Sequence, residues 1–327
     1  MKDDVSVILV SSSQELPHMT CRNFFHSTEF FRMLEATPMQ EPCMAVAVDK
    51  CGHVAAHMLT VITYHRTMLP PAVYSHGRVY GEGEYDSDDI RSAVFPLFLK
   101  AVTQRFSHRL CLYIEFSHLS SKMFGYETFR QNGYFPVPWQ EIHNSLHSMA
   151  PEARLQQRTL QQIEEARRRG VTAERITTGG CDLLQAVRLL KKHFRWKVRR
   201  SVPDAELFRR LAASENCRIY AAKYRERVIG TCVCIVTGGN AYMWYLASMR
   251  KTYLPLHPAT YTVWAALREM HAEGIRHMYF LDAGIPFRRS PLREFIMSFG
   301  GMPVSKYRWF RSPLPWVGRV LDWCYNE

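Results

Sequence analysis

Four arginines, one aspartate and two tyrosines stand where they can do chemistry. Arg199 and Arg200 are adjacent and lie just before Pro203 and Asp204. A guanidinium is a planar fork of donors, so a neighbouring pair in a short loop suits a phosphate or a carboxylate. Arg288 and Arg289 repeat the arrangement in a second loop, stiffened by Pro286. Asp282 follows the β-leaning run 278–281, at a strand end, where catalytic groups collect. A carboxylate there can take the proton of an amine. Tyr245 lies in an apolar run and its hydroxyl can orient a carbonyl, while Tyr253 follows in the next loop. Each residue also has a structural alternative. The arginine pair can salt-bridge Asp204, Tyr245 can fill a core, Asp282 can form an Asx turn into Ala283-Gly284, and Arg288-Arg289 can be a solvated loop.

The elements that must position these residues come in two similar series. A helix is expected over 24–35 with Ser27 as its N-cap, then β-leaning runs at 44–48, 54–64 and 73–80. Ser87 caps a helix over 88–106 with acids in its first turn, followed by a strand at 110–116, a helix at 120–130 and a strand at 134–142. A long polar helix over 151–169 ends at Gly170. After it come a strand at 171–177, helices at 182–194 and 204–213, and a three-strand meander at 218–224, 228–236 and 241–248. A helix at 258–273, a strand at 278–281, a helix at 292–298 and a strand at 302–310 complete the series. Two copies of one α/β unit is the economical architecture. The expected domains are 1–149 and 150–311, with an amphipathic tail at 312–327.

Composition and charge narrow the function. The chain has 327 residues, 47% hydrophobic and 22% charged, which excludes a disordered or fibrous protein. It has no run of about 18 uncharged apolar residues, so no membrane-spanning helix is expected. The N-terminal Lys2-Asp3-Asp4 and the short apolar run at 5–10 do not make a signal peptide, which points to the cytoplasm. Nine scattered cysteines read as reduced thiols, with Cys232 and Cys234 on one strand face. His143 and His147 could share a helix face but have no partner at ligand spacing, and no metal or cofactor is expected. The net charge of +12 is uneven: Lys+Arg against Asp+Glu is 12 to 15 in residues 1–149, 13 to 5 in 150–200 and 17 to 10 in 201–327. The basic part points to an anionic partner, with a solvated surface as the alternative. In the tail, Trp316, Arg319, Val320 and Trp323 fall near one helical face, suited to a peripheral membrane contact or to docking on the protein's own core.

A meander followed by helix, strand, helix and strand resembles the GNAT acyltransferase fold. Two in tandem resemble the Fem family of bacterial peptidoglycan aminoacyltransferases and its FemAB-like relatives. The motifs are in the second half. Residues 189–194 and 197–204 look like that family's segment ending in a basic pair, a proline and an acid. Trp244-Tyr245-Leu246-Ala247, with Tyr253 and Pro258, looks like its strand and loop before a helix. Ala283-Gly284, Arg293-Glu294-Phe295 and Phe299-Gly300-Gly301 resemble its closing signature. The sequence departs from that pattern at Ile296, usually a lysine, at Glu164 and Glu165, usually basic, and at Asp282, where the turn usually begins with glycine.

The resemblance implies an α/β tandem GNAT fold with two mixed, mainly antiparallel sheets. It implies transfer of an aminoacyl or acyl group from a phosphate-bearing carrier, by resemblance aminoacyl-tRNA, to an amine of a cell-envelope precursor. Asp282 and Tyr245 would be catalytic, and Arg199, Arg200, Tyr253, Arg288 and Arg289 would bind substrate. Ordinary GNAT enzymes cradle the coenzyme A pyrophosphate on a glycine-rich loop at a helix N-terminus. The corresponding stretch here, 250–258, has no glycine and two prolines, Pro255 and Pro258, each lacking an N–H donor. That favours another carrier. A coenzyme A- or carrier-protein-dependent N-acyltransferase and a non-catalytic module for an anionic ligand are the alternatives.

Overall fold

The computed structural model describes residues 5–68, 71–109, 111–177, 179–195, 201–314, 316 and 318. The chain forms two compact units, one of Met1–Trp139 with Ser305–Glu327, the other of Gln140–Val304.

The first unit opens with β1 (Val5–Val10), a 3-10 turn at Phe24–His26 and α1 (Thr28–Glu35). The Ser27 hydroxyl caps α1 by accepting the Phe30 N–H at 3.0 Å. The meander follows as β2 (Gln40–Asp49), β3 (Val54–Met68) and β4 (Pro71–Tyr80). Its first turn is set by Asp49, whose carboxylate accepts the N–H groups of Cys51 and His53, with Gly52 at φ +83°. The short β5 (Glu84–Tyr85) pairs with β3, and α2 (Asp88–His108) starts at the Ser87 cap. Phe95, Phe98, Leu99, Val102 and Phe106 recur on one face of α2 and enter the core beneath the sheet. Next come β6 (Tyr113–Ser117), parallel to β4, and α3 (Tyr126–Gln131). Glu115 of β6 is 2% exposed and meets Arg78 at 3.0 Å and Arg308 at 3.1 Å. The Arg308 guanidinium also lies over the Trp139 ring, 4.1 Å from its centre.

The second unit takes residues 140–145 of β7 (Phe135–Ser145), then a 3-10 turn at Pro151–Arg154 and α4 (Gln157–Arg168). After β8 (Thr172–Ile176) come α5 (Cys181–Phe194) and α6 (Ala205–Ala212). The meander is β9 (Cys217–Tyr224), β10 (Arg227–Thr237) and β11 (Asn240–Ser248). Then α7 (Pro258–Ala272) leads to β12 (His277–Gly284) and α8 (Pro291–Met297). The sheet order is β7-β12-β11-β10-β9-β8, with β11 and β12 parallel and the other pairs antiparallel. Ten of the α7 residues are buried, so this helix is apolar nearly all round and forms the centre of the second core. From Ser305 onward β13 (Met302–Arg311) belongs to the first unit, where Phe310 pairs with Glu115 of β6.

The α/β tandem GNAT architecture is thus present, with differences of detail. The division expected at 149/150 falls at 139/140, because residues 140–145 pair with β12. The first unit also takes residues from 305 on, of which 309–311 pair with β6. The long helix expected over 151–169 is interrupted, since the Gln156 N–H bonds the Ser298 carbonyl at 3.0 Å and leaves the backbone extended there. The helix expected over 120–130 is only Tyr126–Gln131. Residues 5–10 are a strand paired with β2, and His143 lies on β7 rather than on a helix. Of the tail's apolar face, Trp316 is exposed, while Arg319, Val320 and Trp323 lie outside the described residues. Among the described residues no helix is long and apolar enough to cross a membrane.

Candidate functional site

A gap opens in the second unit's sheet between β11 and β12. The two strands pair from Asn240↔His277 to Met243↔Phe280, and pairing stops there although both continue, to Ser248 and Gly284. Two irregularities cause the parting. Opposite β10, Val233 pairs with Tyr245 and Cys234 with Met243, so Trp244 is an extra residue, a bulge that bends β11 away. On the other side, the register of β12 with β7 jumps between Phe280 and Gly284. A wedge with strand edges on both sides results, and such edges can hydrogen-bond an extended ligand. At its closed end Tyr242 and Tyr279 stand 5.1 Å apart, and burial pushes the Tyr242 hydroxyl up to about 12, so it is neutral.

Asp282 and Tyr245 each lie two residues past the last pair, one on each side of the wedge. Asp282 is half-buried, in the stretch where β12 leaves both neighbours. Tyr245 is 2% exposed, its ring meets Phe194 and Phe208, and its hydroxyl donates to the Ser201 carbonyl at 3.0 Å. It therefore sits in the core and anchors the residue that follows the arginine pair. Arg199 and Arg200 lie outside the described residues. Asp204, their expected alternative partner, caps α6 through the Glu206 N–H and lies 3.6 Å from Lys191.

Tyr253 belongs to the loop after β11. Its ring is 6.3 Å from that of Tyr224, and its hydroxyl accepts from Arg227 at 3.4 Å. Arg288 and Arg289 are exposed in the loop after β12, and Arg289 pairs with Glu294 at 3.2 Å. Arg293 holds that loop by donating to the carbonyls of Ile285 and Arg288. Ile296, at the position where a lysine was expected by resemblance, is 3% exposed within the apolar core.

The start of α7 shows a contact absent from the sequence reading. His257 occupies the left-handed region, φ +44° and ψ +49°, immediately before Pro258. Its Nε2 lies 3.0 Å from the Glu165 carboxylate of α4. That hydrogen bond holds the Glu165 carboxyl below the ordinary range, with Arg169 and Arg168 adding to the effect. A carboxylate thus already stands beside this helix start, where the dipole favours an anion. A histidine directly before a helix-opening proline was the only sequence signal for it.

Gly230 of β10 explains how closely the strand approaches this helix. A Cβ there would fall on the Thr262 hydroxyl and 2.9 Å from the Pro258 carbonyl. Gly230→Ala is expected to lower stability by about 1–3 kcal/mol, read by urea unfolding. Wild-type stability would show that α7 can shift away freely.

Residues 153–289 match the family model of the acetyltransferase (GNAT) domain. No curated protein matches the chain. Among solved structures, FemX is 10% identical with a TM-score of 0.61, the match covering 92% of this chain and 94% of that one. L-PGS from Bacillus licheniformis is 12% identical with a TM-score of 0.58, covering 90% and 92%. A tandem GNAT protein from the clavulanic acid biosynthesis pathway is 11% identical with a TM-score of 0.62, covering 95% and 99%. At such identities these likenesses speak for the fold, and the domain match speaks for residues 153–289. Residues 153–289 thus match the acetyltransferase (GNAT) domain, and the fold of the whole chain is similar to those of FemX and of the tandem GNAT protein.

Proposed function

We propose that the chain moves an aminoacyl or acyl group from a phosphate-bearing carrier onto an amine of a cell-envelope precursor, at the wedge between β11 and β12. The observation that carries this reading is the parting of the strands after Met243 and Phe280, next to a helix start ill suited to pyrophosphate. Pro255 and Pro258 remove N–H donors there, and Glu165 supplies a negative charge. Coenzyme A is therefore disfavoured, and aminoacyl-tRNA is the carrier we favour. The structural likeness to FemX and to L-PGS is in keeping with aminoacyl transfer.

In this reading the donor carbonyl lies along a strand edge and the acceptor amine approaches from the open side. Asp282 takes the amine proton as nitrogen attacks. Tyr245 acts by fixing the Ser201 carbonyl and so the segment after the arginine pair. Arg199 and Arg200 hold carrier phosphate, with Arg288, Arg289 and Tyr253 as outer contacts. In this reading the protein works in the cytoplasm.

Incubation with charged tRNA pools and a nucleotide-linked muropeptide tests the reading. Transfer of label from at least one aminoacyl-tRNA is expected. No transfer from any of them, together with binding heat for an acyl-coenzyme A, would favour a coenzyme A-dependent enzyme instead. Replacing Arg199 and Arg200 together by Ala is expected to weaken carrier binding by about two to four powers of ten at an unchanged melting temperature. A large fall in melting temperature would assign the pair to structure.

A further inference from the structure

One face of the second unit's sheet carries a row of rings to which the acyl-transfer reading gives no role. The register sets Tyr279 between Tyr242 and His143, and His277 between Asn240 and Ser145. Their strand neighbours Met243, Met278, Phe280 and Ile142 point the other way, into the core around α7. The rings succeed one another without a break. Tyr279 lies 5.1 Å from Tyr242 and 4.4 Å from His143, centre to centre. His277 lies 5.9 Å from Tyr279 with the two planes 8° apart, and His147 lies 5.0 Å from His277. Tyr279, His277 and His143 are half-buried, and His147 is exposed. The row begins at the closed end of the wedge and runs away from it, toward the start of β12.

The polar edges of these rings are fixed. The Asn240 amide nitrogen donates to the Gly238 carbonyl at 3.4 Å, so its oxygen faces His277, 3.1 Å from Nδ1. That oxygen only accepts, so Nδ1 carries the proton and Nε2 of the neutral ring is an acceptor. His147 repeats the pattern, its Nδ1 donating to the Arg276 carbonyl at 3.1 Å. On the β7 side, His143 Nε2 lies 3.3 Å from the Glu141 carboxylate. Burial first, then His147, Arg276 and His143, hold the His277 imidazole below its ordinary range, so it is neutral at pH 7. Burial likewise raises the Tyr279 hydroxyl. Arg276, exposed beside His277, anchors one guanidinium nitrogen on the Gly238 carbonyl at 2.9 Å and so holds a positive charge next to the row.

We propose that this row is a stacking platform for unpaired nucleobases that bear an amino group, cytosine and adenine, at the end of the carrier RNA. It rests on the aminoacyl-tRNA reading and names the residues that seat the RNA end. Unstacked bases lie on the flat faces of tyrosine and histidine rings, and neutral rings serve this best. Cytosine and adenine present an amino donor where uracil presents a carbonyl. The Nε2 atoms of His277 and His147 accept from that amino group and repel the carbonyl. Arg276 meets the adjoining phosphate. A tRNA ends in unpaired C-C-A, so all of its last bases carry the group these imidazoles select. The row meets the wedge at Tyr242 and Tyr279, where the acyl group follows the terminal base.

The test is fluorescence anisotropy with the whole chain and dye-labelled single-stranded C-C-A and U-U-U, with a uridine diphosphate sugar as competitor. C-C-A is expected to bind at least ~10-fold more tightly than U-U-U. Tyr279→Ala is expected to weaken C-C-A ~10-fold, the loss of about one stacked base. His277→Phe keeps a flat ring without the acceptor, and is expected to bring C-C-A close to U-U-U while U-U-U stays unchanged. Equal binding of the two RNAs by the wild-type protein overturns the assignment. So does competition by the uridine nucleotide with no preference for C-C-A, which would give the rings to a nucleotide-linked acceptor. Wild-type affinity for C-C-A in both folded variants overturns it as well. Should one variant fail to fold, the wild-type preference and the other variant decide. The platform and the transfer reading fail separately. C-C-A binding that the variants lose, with no transfer from any aminoacyl-tRNA, keeps the platform and removes the transfer. Transfer by Tyr279→Ala with an unchanged KM for tRNA does the reverse.

Discussion

Glu115→Ala is expected to destabilise the first unit by about 3–5 kcal/mol. Glu115 is 2% exposed, and its two oxygens face Arg78 at 3.0 Å and Arg308 at 3.1 Å. Those guanidinium groups are themselves only 13% and 10% exposed. Removing the carboxylate leaves two cations crowded in a poorly solvated setting, where the charge that compensated them is gone. Urea unfolding followed by tryptophan fluorescence reads the effect, because Arg308 lies over Trp139 and Trp309 is fully buried. A companion variant separates charge from packing. Replacing Arg78, Glu115 and Arg308 together by apolar residues of similar size should cost far less than Glu115→Ala alone. If the single change costs under about 1 kcal/mol, the pair is relieved by water and the network is not a structural keystone.

Asp282→Asn is expected to lower turnover by about two to four powers of ten while the melting temperature and carrier binding stay close to wild type. The substitution keeps the shape of the side chain and removes its capacity to take a proton. Asp282 is half-buried in a stretch whose backbone pairs with neither β11 nor β7 in register. Single-turnover kinetics with labelled donor separates chemistry from binding. A fall in binding with unchanged turnover would make Asp282 a ligand contact, and a fall in melting temperature would make it part of the turn into Ala283-Gly284. Tyr245→Phe serves as a contrast. It deletes the bond to the Ser201 carbonyl and should act through the position of the segment after the arginine pair.

What the amino-acid order determined by itself was the sequence of elements and their faces. Ser27 and Ser87 announced two helix starts, because a side-chain oxygen before an apolar period is the local solution for unpaired N–H groups. The meander 217–248 and the apolar α7 followed from periodicity, since alternation and all-round apolarity describe burial directly. Asp282 was legible as a residue following a strand end and Tyr245 as part of a strand, and each lies two residues past the last β11–β12 pair.

The tertiary structure decided everything that depends on partners distant in sequence. The strand at 5–10 becomes one only by pairing with β2, and Gln156 breaks the long helix only because the Ser298 carbonyl is there to meet it. The parting of β11 from β12 rests on a single extra residue, Trp244, which no local pattern marks, because a bulge is a mismatch between two strands. Glu165 and His257 are 92 positions apart, and Glu84 closes on Arg22 and Asn23 across 62 and 61. Local propensity carries no information on such encounters. They arise when burial of the two cores brings polar groups together, and those groups must then satisfy one another or bear the cost of desolvation.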